Sequence, residues 1–136
     1  MNSNTIAVIG GTGKSGKYLL KNLLQTQFKI RLLMRDPAKL ELIHPNLEVI
    51  KGDARNEDAV YDLLKGCSAV LSTLGQPKGE SSIFSTATEN VVQAMEKHGI
   101  QRYILVTGLN VNSPGDEKDD KTQFATNWMY ENFPEG

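Results

Sequence analysis

Thr5-Ile6-Ala7-Val8-Ile9-Gly10-Gly11-Thr12-Gly13-Lys14-Ser15-Gly16 reads as a strand, a glycine-rich turn and the first turn of a helix. Residues 5–9 are a short apolar run of strand length, broken at Gly10. Residues 14–26 then carry Tyr18, Leu19, Leu20, Leu23 and Leu24 as the apolar stripe of a helix. The glycines satisfy two spacings at once: Gly-x-Gly-x-x-Gly through Gly11, Gly13 and Gly16, and Gly-x-x-Gly-x-x-Gly through Gly10, Gly13 and Gly16. Missing side chains permit a tight turn and let a diphosphate come within hydrogen-bonding distance of the backbone. The helix start adds free N–H groups and the positive end of its dipole. A glycine motif alone says little; between a strand and a helix it points to a dinucleotide. Gly11-x-x-x-x-Gly16-Lys17 nearly spells a P-loop, but Tyr18 stands where a hydroxyl should hold magnesium, so a nucleoside-triphosphatase is disfavoured.

Outward from this turn, strand-like runs recur at 29–34, 47–51, 68–73 and 102–106, separated by helical stretches at about 37–42, 56–65 and 83–98. Strands that are apolar throughout suit a parallel sheet covered on both faces, and five alternations predict a doubly wound α/β domain. Asp36-Pro37 offers an N-cap followed by a proline at the first helical position, and Asn56 can cap the next helix. Gly66 and Gly99 can close helices in the left-handed conformation. Residues 110–121 form a polar loop, followed by a last amphipathic helix over about 122–132.

The 136 residues match one domain with one core, able to bury roughly two-thirds of the surface exposed when unfolded. Cys67 is the single cysteine, which excludes an internal disulfide framework or zinc ribbon and points to a reducing compartment. Fifteen basic residues against sixteen acidic ones give a net charge of −1, with no general attraction to nucleic acid or anionic membranes. No apolar run is membrane-spanning and Met1-Asn2-Ser3-Asn4 lacks a basic n-region, so a cytoplasmic location is expected.

In dinucleotide folds the end of the second strand meets the adenosine ribose. Here it reads Met34-Arg35-Asp36-Pro37. Asp36 stands where an acid for the NAD ribose is sought, but its place before Pro37 favours capping. Arg35 can grip a 2′-phosphate through its planar fork, helped by Lys39 or Lys14, which favours NADP(H) over NAD(H). Gly52-Asp53-Ala54, after the third strand, can meet the adenine. Leu74-Gly75-Gln76, after the fourth, leaves room for the nicotinamide ribose.

Together, Ile6 to Gly16, then Met34-Arg35-Asp36-Pro37-Ala38-Lys39-Leu40, then Gly52-Asp53-Ala54, resemble the atypical short-chain dehydrogenase/reductases that bind NAD(P)H. Within them the chain is most similar to the NmrA-like and biliverdin reductase B (flavin reductase)-like members. The resemblance implies a three-layer Rossmann fold with strand order 3-2-1-4-5 and NADP(H) across the carboxyl ends of the strands. It implies that Gly10, Thr12, Gly13 and Gly16 hold the pyrophosphate, with Lys14 and Ser15 in the same turn. Arg35 would take the 2′-phosphate, Asp53 and Ala54 the adenine, Leu74 and Gly75 the nicotinamide half. Thr107 falls where many members carry a serine near the reacting carbon.

Two departures stand out. The Tyr-x-x-x-Lys proton-donating pair has one match, Tyr61 and Lys65, in a helix on a sheet face rather than at the strand ends; near the last helix, Pro134 takes the lysine's place after Tyr130. A reductase of a conjugated acceptor can draw its proton from water instead. The chain also lacks the family's sixth strand and substrate segment, so truncation is one reading. A fifth strand left as an edge would need a second subunit or the last helix to cover it. His44, His98, Cys67 and the acids at Asp116, Glu117, Asp119 and Asp120 read as structural or solvated residues, with no metal site. Trp128, Met129 and Phe133 read as core or as a docking face. The expectation is an NADPH-dependent oxidoreductase passing hydride to a small conjugated, quinone-like or flavin-like acceptor. A non-catalytic NADP(H)-sensing protein, possible in the NmrA-like group, is the competing class.

Overall fold

The computed structural model describes residues 4–106 and 114–134. Its elements follow the order β1 (Thr5–Ile9), α1 (Lys14–Leu23), β2 (Lys29–Met34), a 3-10 turn (Pro37–Lys39), β3 (Leu47–Lys51), α2 (Glu57–Leu64), β4 (Ala69–Ser72), α3 (Phe84–His98), β5 (Tyr103–Leu105) and α4 (Asp120–Asn132). All strand pairs are parallel and the sheet order is β3-β2-β1-β4-β5, the Rossmann arrangement expected. Val8 at the centre pairs with Leu32 on one side and Leu71 on the other. From β1 the chain winds outward through β2 and β3, then crosses back to place β4 on β1's other side. The carboxyl ends of β1 and β4 therefore flank the point where the winding reverses, which is where open α/β sheets hold their ligands.

Alternate side chains of β1 build the two faces. Ala7 and Ile9 join Leu33, Val70 and the buried stripes of α2 and α3, including Val60, Leu63, Leu64, Ala87, Val91 and Ala94. Ile6 and Val8 join Ile30, Leu32 and Met34 against Leu20 and Leu24 of the α1 segment. Val8, Leu32, Val60, Leu63, Leu64, Val70 and Val91 are fully excluded from solvent. Each such side chain contributes about 1.5–3 kcal/mol by burial.

Two helices are shorter than the sequence predicts. The first ends at Leu23 instead of residue 26, because Gln25 and Thr26 donate to Asn22 and Leu23 in bonds that tighten the last turn (3.1 and 3.0 Å). The predicted helix over 37–42 is one 3-10 turn, with Leu40 already extended. Asp36 caps it through Ala38 N–H (3.3 Å), but Leu42 and Ile43 beyond are exposed, so a longer helix would bury no apolar stripe. Asn56 caps α2 through Ala59 N–H at 2.9 Å, and Gly99 closes α3 at φ 71°, both as expected. Cys67 is buried and donates to Leu63 O.

β5 lies at a sheet edge, with Ile104, Leu105 and Val106 exposed. Thr107 lies outside the described residues. Among the described residues no helix is long and apolar enough to cross a membrane, and no cluster of metal-ligating side chains occurs.

Candidate nucleotide-binding cleft

The glycine turn is shaped by its neighbours. Gly10 sits at φ 82°, and a Cβ there would come within 2.7 Å of Leu74 N. A Cβ on Gly11 would strike Leu32 at 2.5 Å, and one on Gly16 would meet Gly10 O at 2.1 Å. Gly10 and Gly16, where a Cβ would strike backbone, are thus demanded by the fold itself, while one at Gly11 would displace only the end of the Leu32 side chain. Gly13 differs: a Cβ there would meet only Gly10 O, at 3.8 Å. No protein atom requires a glycine at that position, and it faces the cleft. Thr73, at the end of β4, fixes the turn from the other side by donating its hydroxyl to Gly10 O at 2.9 Å.

Gly13 is also the N-cap of α1, in extended geometry and with no side chain capping the turn. The first bond into the helix is from Lys17 N–H to Gly13 O at 3.0 Å. The N–H groups of the first turn, at Lys14, Ser15 and Gly16, are left for something outside the helix. No acidic side chain lies in that turn to offset the dipole.

In front of this helix end lies a cleft of about 360 Å³ at the carboxyl edge of the sheet. Of the predicted site residues, Gly10, Thr12, Gly13, Arg35, Asp53, Ala54, Leu74 and Gly75 line it, with Asp36 and Lys39. Lys14, Ser15 and Gly16 are not among its lining residues; they form the helix turn that follows Gly13, with Lys14 and Ser15 exposed and Gly16 buried. Tyr61 lies away from it in α2, its ring stacked 4.3 Å from His98, whose Nε2 lies 2.9 Å from Tyr61 O. Neither Tyr61 nor Lys65, the residue that ends α2, lines the cleft. His44 is likewise local, its Nδ1 accepting from Asn46 N–H at 3.0 Å.

The end of the cleft beside β2 and β3 carries charge that the sequence reading missed. Arg35 donates through Nη1 to both carboxylate oxygens of Glu80, at 2.9 and 3.0 Å. Arg55 donates to the same Glu80 Oε1 at 2.9 Å and clasps Asp53 through Nε and Nη2 at 3.0 and 2.8 Å. Hydrogen bonds from Arg55 hold the carboxyls of Asp53 and Glu80 below their usual range, Arg35 adding to the effect on Glu80. The same bonds raise the Arg55 guanidinium above its usual value. Glu80 comes from the β4–α3 loop, which Gln76 braces. The Gln76 amide nitrogen is within 2.9–3.2 Å of the carbonyls of Pro77, Glu80 and Ser81, and its oxygen accepts from Ile83 N–H at 3.2 Å. Asn90, buried in α3, donates to Ala54 O at 3.0 Å and anchors the loop beneath the cleft. The signal for these residues is slight: a polar loop, Gln76-Pro77-Lys78-Gly79-Glu80, directly after a strand whose end faces the turn.

A parallel sheet with this order, and a glycine turn leading into an uncapped helix where its winding reverses, defines a Rossmann-type domain. The chain belongs to the NAD(P)H-binding family, whose model matches residues 10–134. It is 26% identical over 137 residues to Protein TIC 62, chloroplastic, of Pisum sativum, covering 82% of this chain and 26% of that protein. It is 30% identical over 144 residues to dihydroflavonol 4-reductase of Hordeum vulgare, covering 93% and 41%. Among solved structures, a putative epimerase from Bacteroides thetaiotaomicron superposes with a TM-score of 0.70 at 25% identity, over 97% of this chain and 65% of that one. The chain spans less than half the length of the curated relatives it matches. The cleft fits the nicotinamide cofactor that the family implies: an open helix end and a bare Gly13 suit its diphosphate.

Proposed function

We propose that this chain binds NADP(H) across the carboxyl edge of its sheet and serves as an NADPH-dependent oxidoreductase. Its acceptor would be a small conjugated, quinone-like or flavin-like molecule. The observation that carries the reading is the α1 N-terminus, uncapped and opened by a glycine that no protein contact requires, facing a cleft whose far end holds Arg35. In this reading the backbone from Gly10 to Gly16 takes the diphosphate. Arg35, with Lys39 beside it, takes the 2′-phosphate; Asp53 and Ala54 border the adenine, and Leu74 and Gly75 the nicotinamide ribose. The bound cofactor supplies a hydride, so that NADPH and a proton convert the acceptor to its two-electron-reduced form and leave NADP⁺. Water delivers the proton, and Thr107 is the side chain proposed beside the reacting carbon.

Titration with NADPH and NADH tests the cofactor reading. Arg35→Ala is expected to weaken NADPH by about 1.5–3 kcal/mol, as for hydrogen bonds to charged groups, with NADH little changed. Equal losses for both would contradict it.

One observation favours a second reading, a protein that senses NADP(H) without chemistry, of the kind found among NmrA-like proteins. Past Thr73 the cleft is lined by Leu74, Gly75, Gln76, Pro77 and Ile83, so among the described residues no tyrosine, lysine, histidine or cysteine faces the nicotinamide half. Turnover of NADPH with a panel of quinones, flavins and conjugated carbonyls separates the two: steady oxidation supports the reductase, and tight binding without oxidation supports the sensor.

A further inference from the structure

We infer that Arg35 and Arg55 together form a two-guanidinium site for the phosphate monoester on the adenosine 2′ position, and that Glu80 is its built-in competitor. The inference rests on the NADP(H) reading above and adds to it a second arginine and an opposing acid. A single oxygen, Glu80 Oε1, accepts from both Arg35 Nη1 and Arg55 Nη2 at 2.9 Å. Two guanidinium groups on different loops thus converge on one anionic oxygen, next to Arg35 and Asp53 of the cleft lining. A phosphate oxygen has the same charge type and the same appetite for planar N–H donors, and a phosphate brings more charge and more acceptors than a carboxylate.

Arg55 is already half committed. Asp53 grips its Nε and Nη2 and sets the guanidinium in one orientation, so little rotamer freedom remains to be lost when an anion arrives. Glu80 is held on a loop that Gln76 braces through four backbone groups, which keeps the carboxylate at the site. The Glu80 side chain is about one-third exposed, so it can turn out to water when displaced. With Asp53 and Glu80 in place the four charged groups sum to zero. Displacing Glu80 by a phosphate dianion keeps both arginines paired, whereas NAD(H) offers nothing to displace it. Glu80 therefore lowers affinity for a 2′-phosphorylated ligand specifically.

Calorimetric titration with adenosine 2′,5′-bisphosphate and with 5′-AMP tests this on the whole chain. Glu80→Gln is expected to raise the affinity ratio of the bisphosphate over 5′-AMP about fivefold, the scale of a partly exposed ion pair. Glu80→Asp, which keeps the charge and retracts it by one methylene, should fall between. Arg55→Gln should lower the ratio. An unchanged or lowered ratio in Glu80→Gln overturns the inference; if wild type still prefers the bisphosphate and loses that preference in Arg35→Ala, the NADP(H) reading survives it. A wild-type chain with no preference for the bisphosphate overturns both.

Discussion

The amino ends of α1 and α2 lie in corresponding places, each following a strand in the same parallel sheet, yet they are finished in opposite ways. At α2, Asn56 caps Ala59 N–H and Glu57 and Asp58 lie in the first turn, so the helix's positive end is neutralised from within. At its far end, Arg31 of β2 donates to the carbonyls of Asp62, Leu63 and Lys65 at 2.8–3.1 Å, supplying the positive charge that the last turn lacks. α2 is complete without a ligand. At α1 the cap is a glycine with no side chain and the first turn has no acid. The contrast separates a helix end completed by the chain's own side chains from one that they leave open.

Three changes break or sharpen that contrast. The largest effect is expected from Gly16→Ala, whose new Cβ would lie 2.1 Å from Gly10 O. It should cost about 3 kcal/mol in urea unfolding and abolish NADPH binding, because the turn must move. Asn56→Ala should cost about 1 kcal/mol with the NADPH affinity unchanged, since that cap serves only α2. Loss of NADPH binding in this variant would mean that the two helix ends are coupled. The smallest effect concerns pH. Asp53 and Glu80 titrate below their ordinary values of 3.8 and 4.5. Their contribution to stability is complete above those values and is lost as pH falls through the lower folded-state ones. The urea midpoint should therefore decline on acidification below about pH 4.5, and Arg55→Gln should make that decline shallower.

The alternation of strands and helices was legible because it depends on local patterns, apolar runs of strand length, a glycine turn, and caps at Asp36, Asn56 and Gly99, whereas the strand order came with the family resemblance. The helix expected over 37–42 was not, since its fate depends on whether Leu42 and Ile43 find anything to cover them, and they do not. Arg35 was legible as a cation at the end of β2, but its partner was not. Glu80 lies 45 residues away in sequence, and its carboxylate reaches Arg35 because Gln76 folds the intervening loop onto itself. Arg31 was invisible for the same reason: in sequence it is one more strand residue, while its three acceptors lie at the end of another helix. The lesson is that backbone-driven features are written locally, whereas charge networks depend on loops whose course only the fold determines.

The central claim is that the open end of α1 is reserved for a diphosphate, and Gly13→Asp tests it most directly. Gly13 has φ −72° and ψ 178°, the extended geometry in which aspartate caps helices well. The substitution turns the end of α1 into an end like that of α2. The expected result is an unfolding midpoint equal to or above wild type, by at most a few tenths of a kcal/mol, together with at least about a tenfold loss of NADPH affinity in calorimetric titration. A variant that is equally stable and binds NADPH as tightly as wild type would contradict it.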